Sequence, residues 1–305
     1  MLVLNEIDKI KGIESSVATI GNFDGLHYAH QTIIKEVIKK ARQLLIQSIL
    51  ITFEPHPIKY FKKTDIKLLQ TLSQKLELIK SLGINITVIL EFNQELANMS
   101  AEDFVKNLLI ERLKVKHLFI GYNFQFGKGK KGDINVVKRL SNKYKFNVYI
   151  QEPVIIGGII CNSTTIRSFI QRGDVETAKN LLDRYYKIEG KVVKGERIGQ
   201  VIGYPTINIV TSNELLPSNG VYLTYVVYND VLYPSITNIG FKPTFGGRNK
   251  TIETYIIDFN KSLYNEQLQL CFVKRIRDEK KFDSPKELVQ QIIKDVNYAR
   301  YYFDL

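Results

Sequence analysis

Two histidines three residues apart, His27 and His30, are the side chains in this sequence best placed for phosphate chemistry. They follow a short apolar stretch, residues 17–20, and precede residues whose apolar positions recur with the spacing of a helix. Side chains three apart on a helix project from one face, beside backbone N–H groups that lack an intrahelical acceptor and carry the positive end of the dipole. Such a helix start suits a polyphosphate. A metal half-site and a histidine that simply caps the helix are the alternatives that this spacing leaves open.

The ten residues 21–30 form a recognisable pattern, G-x-F-D-G-x-H-x-x-H. The pattern resembles the H-x-G-H signature of the nucleotidyltransferase superfamily in its flavin-adenylating form, with Ala29 where the signature has glycine. The resemblance implies that His27 and His30 are catalytic and stabilise charge developing on the phosphates of ATP during adenylyl transfer. It assigns ATP binding to the loop residues Gly21, Phe23, Asp24 and Gly25.

A second polar segment, residues 163–167, is predicted at a strand-to-helix turn, where hydroxyls and a guanidinium can contact phosphate oxygens that leave as pyrophosphate. On its own the pattern is that of a capped helix start. It resembles the superfamily's second signature, S-S-T-x-x-R, with Asn162 in place of the first serine. Thr165 stands where the family often has arginine. The resemblance therefore assigns phosphate contacts to Ser163 and Thr164 and the cationic role to Arg167.

A glycine-rich segment, residues 121–129, carries two aromatic side chains and one amide, which are Phe124, Phe126 and Asn123. Such side chains can offer a stacking surface and directed hydrogen bonds to a flat heteroaromatic ring. A glycine-rich surface loop without a ligand is the alternative. The segment resembles an element of the flavin-adenylating family, and the resemblance implies that these three residues bind flavin.

Spaced glycines, Gly195 and Gly199, with Arg197 between them, precede the letters G-Y-P-T-I-N at residues 203–208. Read alone, this is a hairpin with a proline-fixed turn. It resembles the riboflavin kinase signature G-x-P-T-A-N, and the resemblance implies that the glycines bind ATP while Thr206 and Asn208 hold Mg²⁺ and phosphate. Two residues apart on an extended segment, these two side chains point the same way.

Kinase chemistry also needs a group that orients and deprotonates the attacking hydroxyl, and a carboxylate within hydrogen-bond reach is the usual answer. Glu253 is the candidate, because residues 253–259 match the kinase family's E-x-H-x-x-D-F pattern, with Tyr255 replacing histidine. An exposed glutamate on a barrel strand is the alternative. Residues 238–246 and 275–282 also resemble this family, and the latter implies flavin binding by Arg277 and Glu279.

Composition limits the class of protein. A chain of 305 residues with 44% hydrophobic content can fill two cores. The net charge of +12 suits either anionic nucleotides or nucleic acid, but the sequence has no RNA-recognition, KH or zinc-finger pattern. Two cysteines, Cys161 and Cys271, lie in apolar surroundings that predict buried thiols without a disulfide or zinc site. We expect no signal peptide, no membrane segment and a cytoplasmic location.

The predicted secondary structure changes near residue 184. Before it, strands and helices alternate, which predicts right-handed crossovers, a parallel sheet and a doubly wound, Rossmann-like nucleotidyltransferase domain over residues 1–183. After it, β-rich runs joined by turns predict an antiparallel β-barrel with a C-terminal helix over residues 184–305. The fold class is thus α/β followed by β.

The motifs occur in the family's order and cover essentially the whole chain, which is similar to the bacterial bifunctional riboflavin kinase/FAD synthetase family. The resemblance implies that the barrel makes FMN from riboflavin and ATP, and that the N-terminal domain adenylylates FMN to FAD, both with Mg²⁺. We expect ATP, riboflavin, FMN and FAD as partners and no nucleic acid or membrane, while self-association stays open. The alternatives are that only one of the two activities is retained, or that the chain is a basic nucleic-acid-binding protein on this scaffold.

Overall fold

The computed structural model describes residues 1–5, 12–61, 65–195, 199, 203–244 and 247–305. Their contacts divide the chain into two compact units. The first comprises Met1–Lys67 and Leu72–Asn162, and the second comprises Leu68–Thr71 and Ser163–Leu305. The predicted boundary after residue 183 follows the change from helices to strands, whereas the contacts assign the two helices before it to the second unit.

The first unit is built on a parallel sheet. Its strands are β1 (Leu2–Leu4), β2 (Ser16–Ile20), β3 (Gln47–Glu54), β4 (Ile86–Glu91), β5 (Val115–Gly121) and β6 (Asn147–Gln151). The strand order is β1-β4-β3-β2-β5-β6, and every neighbouring pair is parallel. This confirms the predicted Rossmann-like fold. The three-residue edge strand β1 was not predicted, because so short a run carries no periodicity.

Helices and short hairpin strands complete the first unit. They are α1 (Tyr28–Leu44), α2 (Pro57–Tyr60), α3 (Leu72–Leu82), α4 (Gln94–Asn98), α5 (Ala101–Asp103), the π-helix Phe104–Arg112, the 3₁₀ turn Lys128–Lys130, α6 (Ile134–Tyr144), β7 (Ile155–Ile156) and β8 (Ile159–Ile160). One core packs α1 residues such as Ile34 and Val37 on Val17 of β2. A second core packs Leu108 and other residues against Ala18. Both faces of the sheet are therefore covered, as parallel sheets require.

The π-helix Phe104–Arg112 corrects a prediction. The apolar spacing predicts one α-helix over residues 101–113, but only Ala101–Asp103 is α-helical. The amide of Leu113 bonds to the carbonyl of Leu108, five residues back, at 3.0 Å. The wider turn lets Phe104, Leu108 and Leu113 all be buried. Apolar spacing does not distinguish the two helix types over so short a stretch.

The second unit starts with two helices and continues as a barrel. Its elements are α7 (Ser163–Arg172), α8 (Val175–Leu182), β9 (Tyr186–Val193), β10 (Thr206–Thr211), β11 (Gly220–Tyr228), β12 (Val231–Thr244), β13 (Gly247–Ile256), β14 (Gln267–Arg277) and α9 (Pro285–Phe303). The strands close into an antiparallel barrel with the order β10-β13-β12-β11-β14-β9. The predicted barrel with a terminal helix is thus confirmed. In the part of the chain that the structure describes, no helix has both the length and the apolar character needed to cross a membrane.

The sequence predicts a tight hairpin at Asn229-Asp230 and helix caps at Asp174 and Ser284, and the structure confirms all three. Asn229 and Asp230 have positive φ values of 50° and 60° and join β11 to β12 in a tight hairpin. The side chain of Asp174 accepts a hydrogen bond from the amide of Thr177 at 3.0 Å and caps α8. The hydroxyl of Ser284 accepts from the amide of Glu287 at 3.3 Å and caps α9.

Candidate active sites

In the first unit, His27 and His30 meet at the start of α1. His27 is the N-cap residue, and its Nδ1 accepts a hydrogen bond from the backbone amide of His30 at 3.4 Å. The two imidazole rings stack with 3.6 Å between their centroids and 19° between their planes. The edge of Phe23 meets His30 with 5.1 Å between ring centroids. The structure thus brings the predicted pair together, and His27 also takes the capping role that the spacing left open.

Cys161 lies beside this pair, which the sequence did not reveal. Its Sγ is 3.6 Å from Nδ1 of His27. Burial raises the pKa of the Cys161 thiol, although backbone N–H groups of Ala29 and Tyr28 bond to the sulfur and act in the opposite direction. The thiol therefore stays protonated near neutral pH and occupies N–H groups at the start of α1. Its position immediately before Asn162 of the second signature is the sequence signal that could have placed it here.

The loop between β2 and α1 holds the other residues predicted to bind ATP. Asp24 is buried, and Gly25 has φ 82°. A β-carbon added at Gly21 would lie 3.4 Å from the ring of Phe23, so the aromatic ring packs directly on this glycine. The loop is compact and its side chains are enclosed. That these residues bind ATP stays a prediction.

The glycine-rich segment predicted to bind flavin divides into an exposed and a buried part. Phe124 and Phe126 stack with 5.2 Å between their ring centroids. Phe126 is buried and packs on Phe104 at 5.5 Å, while Asn123 is exposed and Phe124 is half-buried. Asn123 and the outer face of Phe124 are therefore the accessible members of this set, and Phe126 supports Phe124 from the core.

In the second unit, Ser163 and Thr164 form the first turn of α7, as the predicted strand-to-helix turn requires. Arg167 lies one turn further along and is buried. Their contacts with phosphate stay predictions.

The residues of the kinase motif share one face of the barrel wall. In the antiparallel pairing of β10 with β13, Asn208 lies opposite Glu253 and Thr206 lies opposite Tyr255. On the other side of β13, Glu253 lies opposite Asn238 of β12. Directly paired residues project to the same face of a sheet. Glu253 is thus flanked by two asparagines, of which Asn208 is the predicted ligand and Asn238 was not singled out.

Gly195 and Gly199, the glycines predicted to bind ATP in this unit, lie close to the side chains of Asn208 and Thr206. A β-carbon at Gly195 would overlap Nδ2 of Asn208, and one at Gly199 would overlap the carbonyl oxygen of Tyr204 and lie 3.2 Å from Oγ1 of Thr206. Only glycine allows this approach. Arg197 lies outside the described residues, as do residues 245–246 of the segment that resembles the kinase family.

Tyr255, which stands where the kinase family has histidine, is a packing residue here. Its ring meets Tyr204 edge to face with 5.5 Å between centroids, and both rings are partly buried and pack against the core that includes Val296 and Ala299 of α9. Burial raises the pKa of the Tyr255 phenol, with a further contribution from Asp258. Tyr204 stands two residues before Thr206. Tyr255 therefore packs against the segment that leads into Thr206.

The chain matches known protein families and individual proteins over nearly its whole length. A family model described as FAD synthetase matches residues 9–165, and one described as riboflavin kinase matches residues 182–303. The bifunctional riboflavin kinase/FMN adenylyltransferase of Buchnera aphidicola subsp. Acyrthosiphon pisum is 36% identical over 310 residues, which cover 100% of this chain and 99% of that protein. The protein of the same description from Escherichia coli K12 is 32% identical, with coverage of 96% and 94%. The chain belongs to the bifunctional riboflavin kinase/FMN adenylyltransferase family.

A solved structure supports the fold of this family member over its whole length. A crystal structure from Streptococcus pneumoniae has a TM-score of 0.89 and 30% identity, and the match covers 98% of both chains. That structure is titled a macrolide-efflux protein. Both family models and the curated relatives instead describe flavin-nucleotide synthesis.

Arg277 and Glu279, which the family resemblance assigns to flavin binding, each form hydrogen bonds with another side chain of this unit. The guanidinium of Arg277 donates from Nε at 3.0 Å and from Nη2 at 2.7 Å to Oδ2 of Asp295 on α9. Oε2 of Glu279 accepts from Nδ2 of Asn219 at 3.2 Å, and its other oxygen lies against Gly240. Arg277 therefore anchors α9 to β14. Direct contact of Arg277 and Glu279 with flavin stays a prediction.

Proposed function

We propose that this chain performs two consecutive ATP-dependent reactions, phosphorylation of riboflavin to FMN in the second unit and adenylyl transfer to FMN in the first. The observation that carries the proposal is that each unit holds its own set of side chains: the stacked His27 and His30 in one, and Asn208 opposite Glu253 in the other. Family membership supports both activities.

In the kinase reaction, the 5′-hydroxyl of riboflavin attacks the γ-phosphorus of ATP. A new O–P bond forms, the bond from the γ-phosphorus to the bridging oxygen breaks, and ADP leaves. Glu253 accepts the hydroxyl proton. Its direct neighbours on the two flanking strands are Asn208 and Asn238. Gly195 and Gly199 lie close against Asn208 and Thr206, and we propose that their backbone contacts the nucleotide phosphates.

The side-chain oxygen atoms on the face of the barrel that carries Glu253 are suitable ligands for Mg²⁺. The hydroxyl of Thr206, the amide oxygen of Asn208 and the carboxylate of Glu253 are all oxygen ligands, which Mg²⁺ prefers, usually together with substrate phosphates. We propose that Thr206 and Asn208 hold the ion. When bound, Mg²⁺ neutralises phosphate charge and favours departure of the ADP group.

In the adenylyl-transfer reaction, a phosphate oxygen of FMN attacks the α-phosphorus of ATP, and pyrophosphate leaves as its bond to that phosphorus breaks. No nucleophilic side chain is needed, so positioning and charge stabilisation carry the catalysis. His27 and His30 stabilise the developing charge. Asn123 and Phe124 hold the flavin ring. The two buried thiols are consistent with action in the cytoplasm, a reducing compartment.

The test is chromatography of flavins after incubation with ATP and Mg²⁺. The native chain is expected to convert riboflavin to FMN and then FAD. His30→Ala is expected to stop at FMN, and Glu253→Gln to leave riboflavin unphosphorylated yet still convert added FMN to FAD. Matched controls are His117→Ala, at the far end of β5 from the phosphate loop, and Glu266→Gln, an exposed glutamate. Both controls should behave as native.

Absence of any flavin nucleotide from the native chain would refute the proposal. Steeply salt-dependent binding of an oligonucleotide would then favour the nucleic-acid alternative.

A further inference from the structure

Lys75 is a buried lysine on α3 that the motifs and the chemistry above do not use. Only 6% of the residue is exposed, although lysine is almost never fully buried unless its charge is compensated. Ile79 is buried one turn further along α3, so both side chains lie on the helix face that packs inward. The fold therefore keeps an ammonium group in its interior despite the cost of desolvation.

The ammonium of Lys75 holds the loop between β2 and α1. Its Nζ donates a hydrogen bond to the carbonyl oxygen of Asn22 at 3.0 Å and another to Oγ1 of Thr52 on β3 at 3.4 Å. The hydroxyl of Thr52 donates to the same carbonyl of Asn22 at 3.2 Å. Donors from α3 and β3 thus converge on one backbone oxygen of the loop.

Two carboxylates favour the charged form of this lysine. Burial lowers the pKa of Lys75, and the charges of Asp24 and Glu54 act in the opposite direction. Asp24 belongs to the same loop and is 3% exposed. A buried carboxylate is costly unless a positive charge compensates it. Lys75 therefore provides both a donor for the loop backbone and a countercharge for its acidic side chain.

The backbone that follows Asn22 needs such support. Phe23 and Leu26 have positive φ values of 49° and 37°. Bulky L-residues rarely adopt this region, and they keep it where surrounding contacts determine the conformation. The carbonyl that Lys75 holds immediately precedes Phe23, and His27, the cap of α1, follows Leu26. A shift at Asn22 is therefore transmitted through a short strained segment to the histidine pair.

We propose that Lys75 is a positioning residue of the adenylyl-transfer site, which fixes the Asn22 carbonyl and thereby the placement of His27 and His30 relative to the phosphates of ATP. The inference rests on the adenylyl-transfer half of the proposed function. In this scheme Lys75 acts through the Asn22 carbonyl, so its effect is on geometry.

The experiment compares Lys75→Met with Lys80→Met, a matched control at an exposed lysine near the end of the same helix. Steady-state formation of FAD from FMN and ATP is measured for both, with riboflavin phosphorylation by the same preparations as the internal reference. Lys75→Met is expected to lower kcat for adenylyl transfer on the order of 10- to 100-fold. The KM for FMN and the phosphorylation rate should not change, and Lys80→Met should match the native chain.

A double-mutant cycle with Thr52→Val tests the route through Asn22. Both side chains hold the same carbonyl, so their effects on kcat should be non-additive. Thr52→Val alone should give a smaller fall in the same kcat, and it carries the test if Lys75→Met does not fold.

Three outcomes would overturn the inference: native kcat in Lys75→Met, strictly additive effects in the cycle, or a loss explained by a higher KM for FMN together with lower thermal stability. Failure of the native chain to make FAD from FMN is a different result. It would overturn the adenylyl-transfer proposal itself.

Discussion

Gly195 packs directly on the side-chain amide of Asn208, so that a β-carbon at position 195 would overlap Nδ2 of the asparagine. The backbone at Gly195 does not have a positive φ, so the requirement for glycine is one of space and not of backbone conformation. The glycine thereby fixes where the Asn208 amide can lie on the face that it shares with Glu253.

We predict that Gly195→Ala displaces the Asn208 side chain and lowers kcat for riboflavin phosphorylation on the order of 10- to 100-fold, because misplacement of a positioning group by about 1 Å is that costly. Conversion of added FMN to FAD by the same variant should stay native. Initial rates of both reactions on one preparation check this. Equal losses in both reactions, or native phosphorylation, would contradict the role assigned to this glycine.

Much of the fold follows from local signals. The apolar positions at helical spacing in α1, among them Ile34, Val37 and Ala41, are the ones that the structure buries. The turn at Asn229 and Asp230 works because these residues tolerate a left-handed backbone. Signals of this kind act over a few residues, so periodicity and turn chemistry suffice to predict the order of elements and the two fold classes.

Which residues lie next to each other within each site could not be predicted from such local sequence patterns. Asn208 and Glu253 are 45 positions apart, and only the register of β10 on β13 places them opposite each other. Cys161 reaches His27 through the fold of the first unit, and Lys75 reaches Asn22 from a helix outside the motif. Register and tertiary contacts of this range depend on the packing of whole elements, which spacing along the chain does not encode.

Asp295 is another residue that spacing did not identify, and it gives a stability prediction. Its carboxylate pairs with Arg277 with only 9% and 17% of the two side chains exposed, and it accepts a further bond from Gln291 at 2.8 Å. Removing one partner of a buried pair leaves an uncompensated charge, which typically costs about 3 to 5 kcal/mol. We therefore expect Asp295→Ala to lower the free energy of unfolding of the second unit by about 3 kcal/mol, measured by denaturant unfolding.

Glu176→Gln, in the same unit, is the control for that measurement. Its partner Lys274 lies 3.7 Å away, and the side chains of Lys274 and Glu176 are 34% and 55% exposed. An exposed pair of this kind contributes about 0 to 1 kcal/mol. A loss for Asp295→Ala no larger than that for Glu176→Gln would show that the pair does not anchor α9.

The last prediction concerns the alkaline limit of barrel stability. Burial raises the pKa of the Cys271 thiol on β14 from 9.0 to about 11, against a smaller opposite effect of Lys187. Below pH 9 the thiol is protonated in both the folded and unfolded chain, so its stabilising contribution is fully present. As pH rises from about 9 to 11 the unfolded chain releases the proton first, and stability falls. A difference of about 2 in pKa corresponds to roughly 2 to 3 kcal/mol.

Denaturant unfolding at pH 8, 10 and 11 checks this, with Cys271→Ala compared with Val273→Ala. Both variants truncate a buried residue of β14, but only the first removes a titratable group. Cys271→Ala should therefore lose less free energy of unfolding between pH 8 and 11 than the native chain does, whereas Val273→Ala should keep the native pH dependence. Because each variant is compared with itself across pH, the constant cost of truncation cancels. The same pH dependence in all three chains would mean that the Cys271 thiol does not contribute to the alkaline loss of stability.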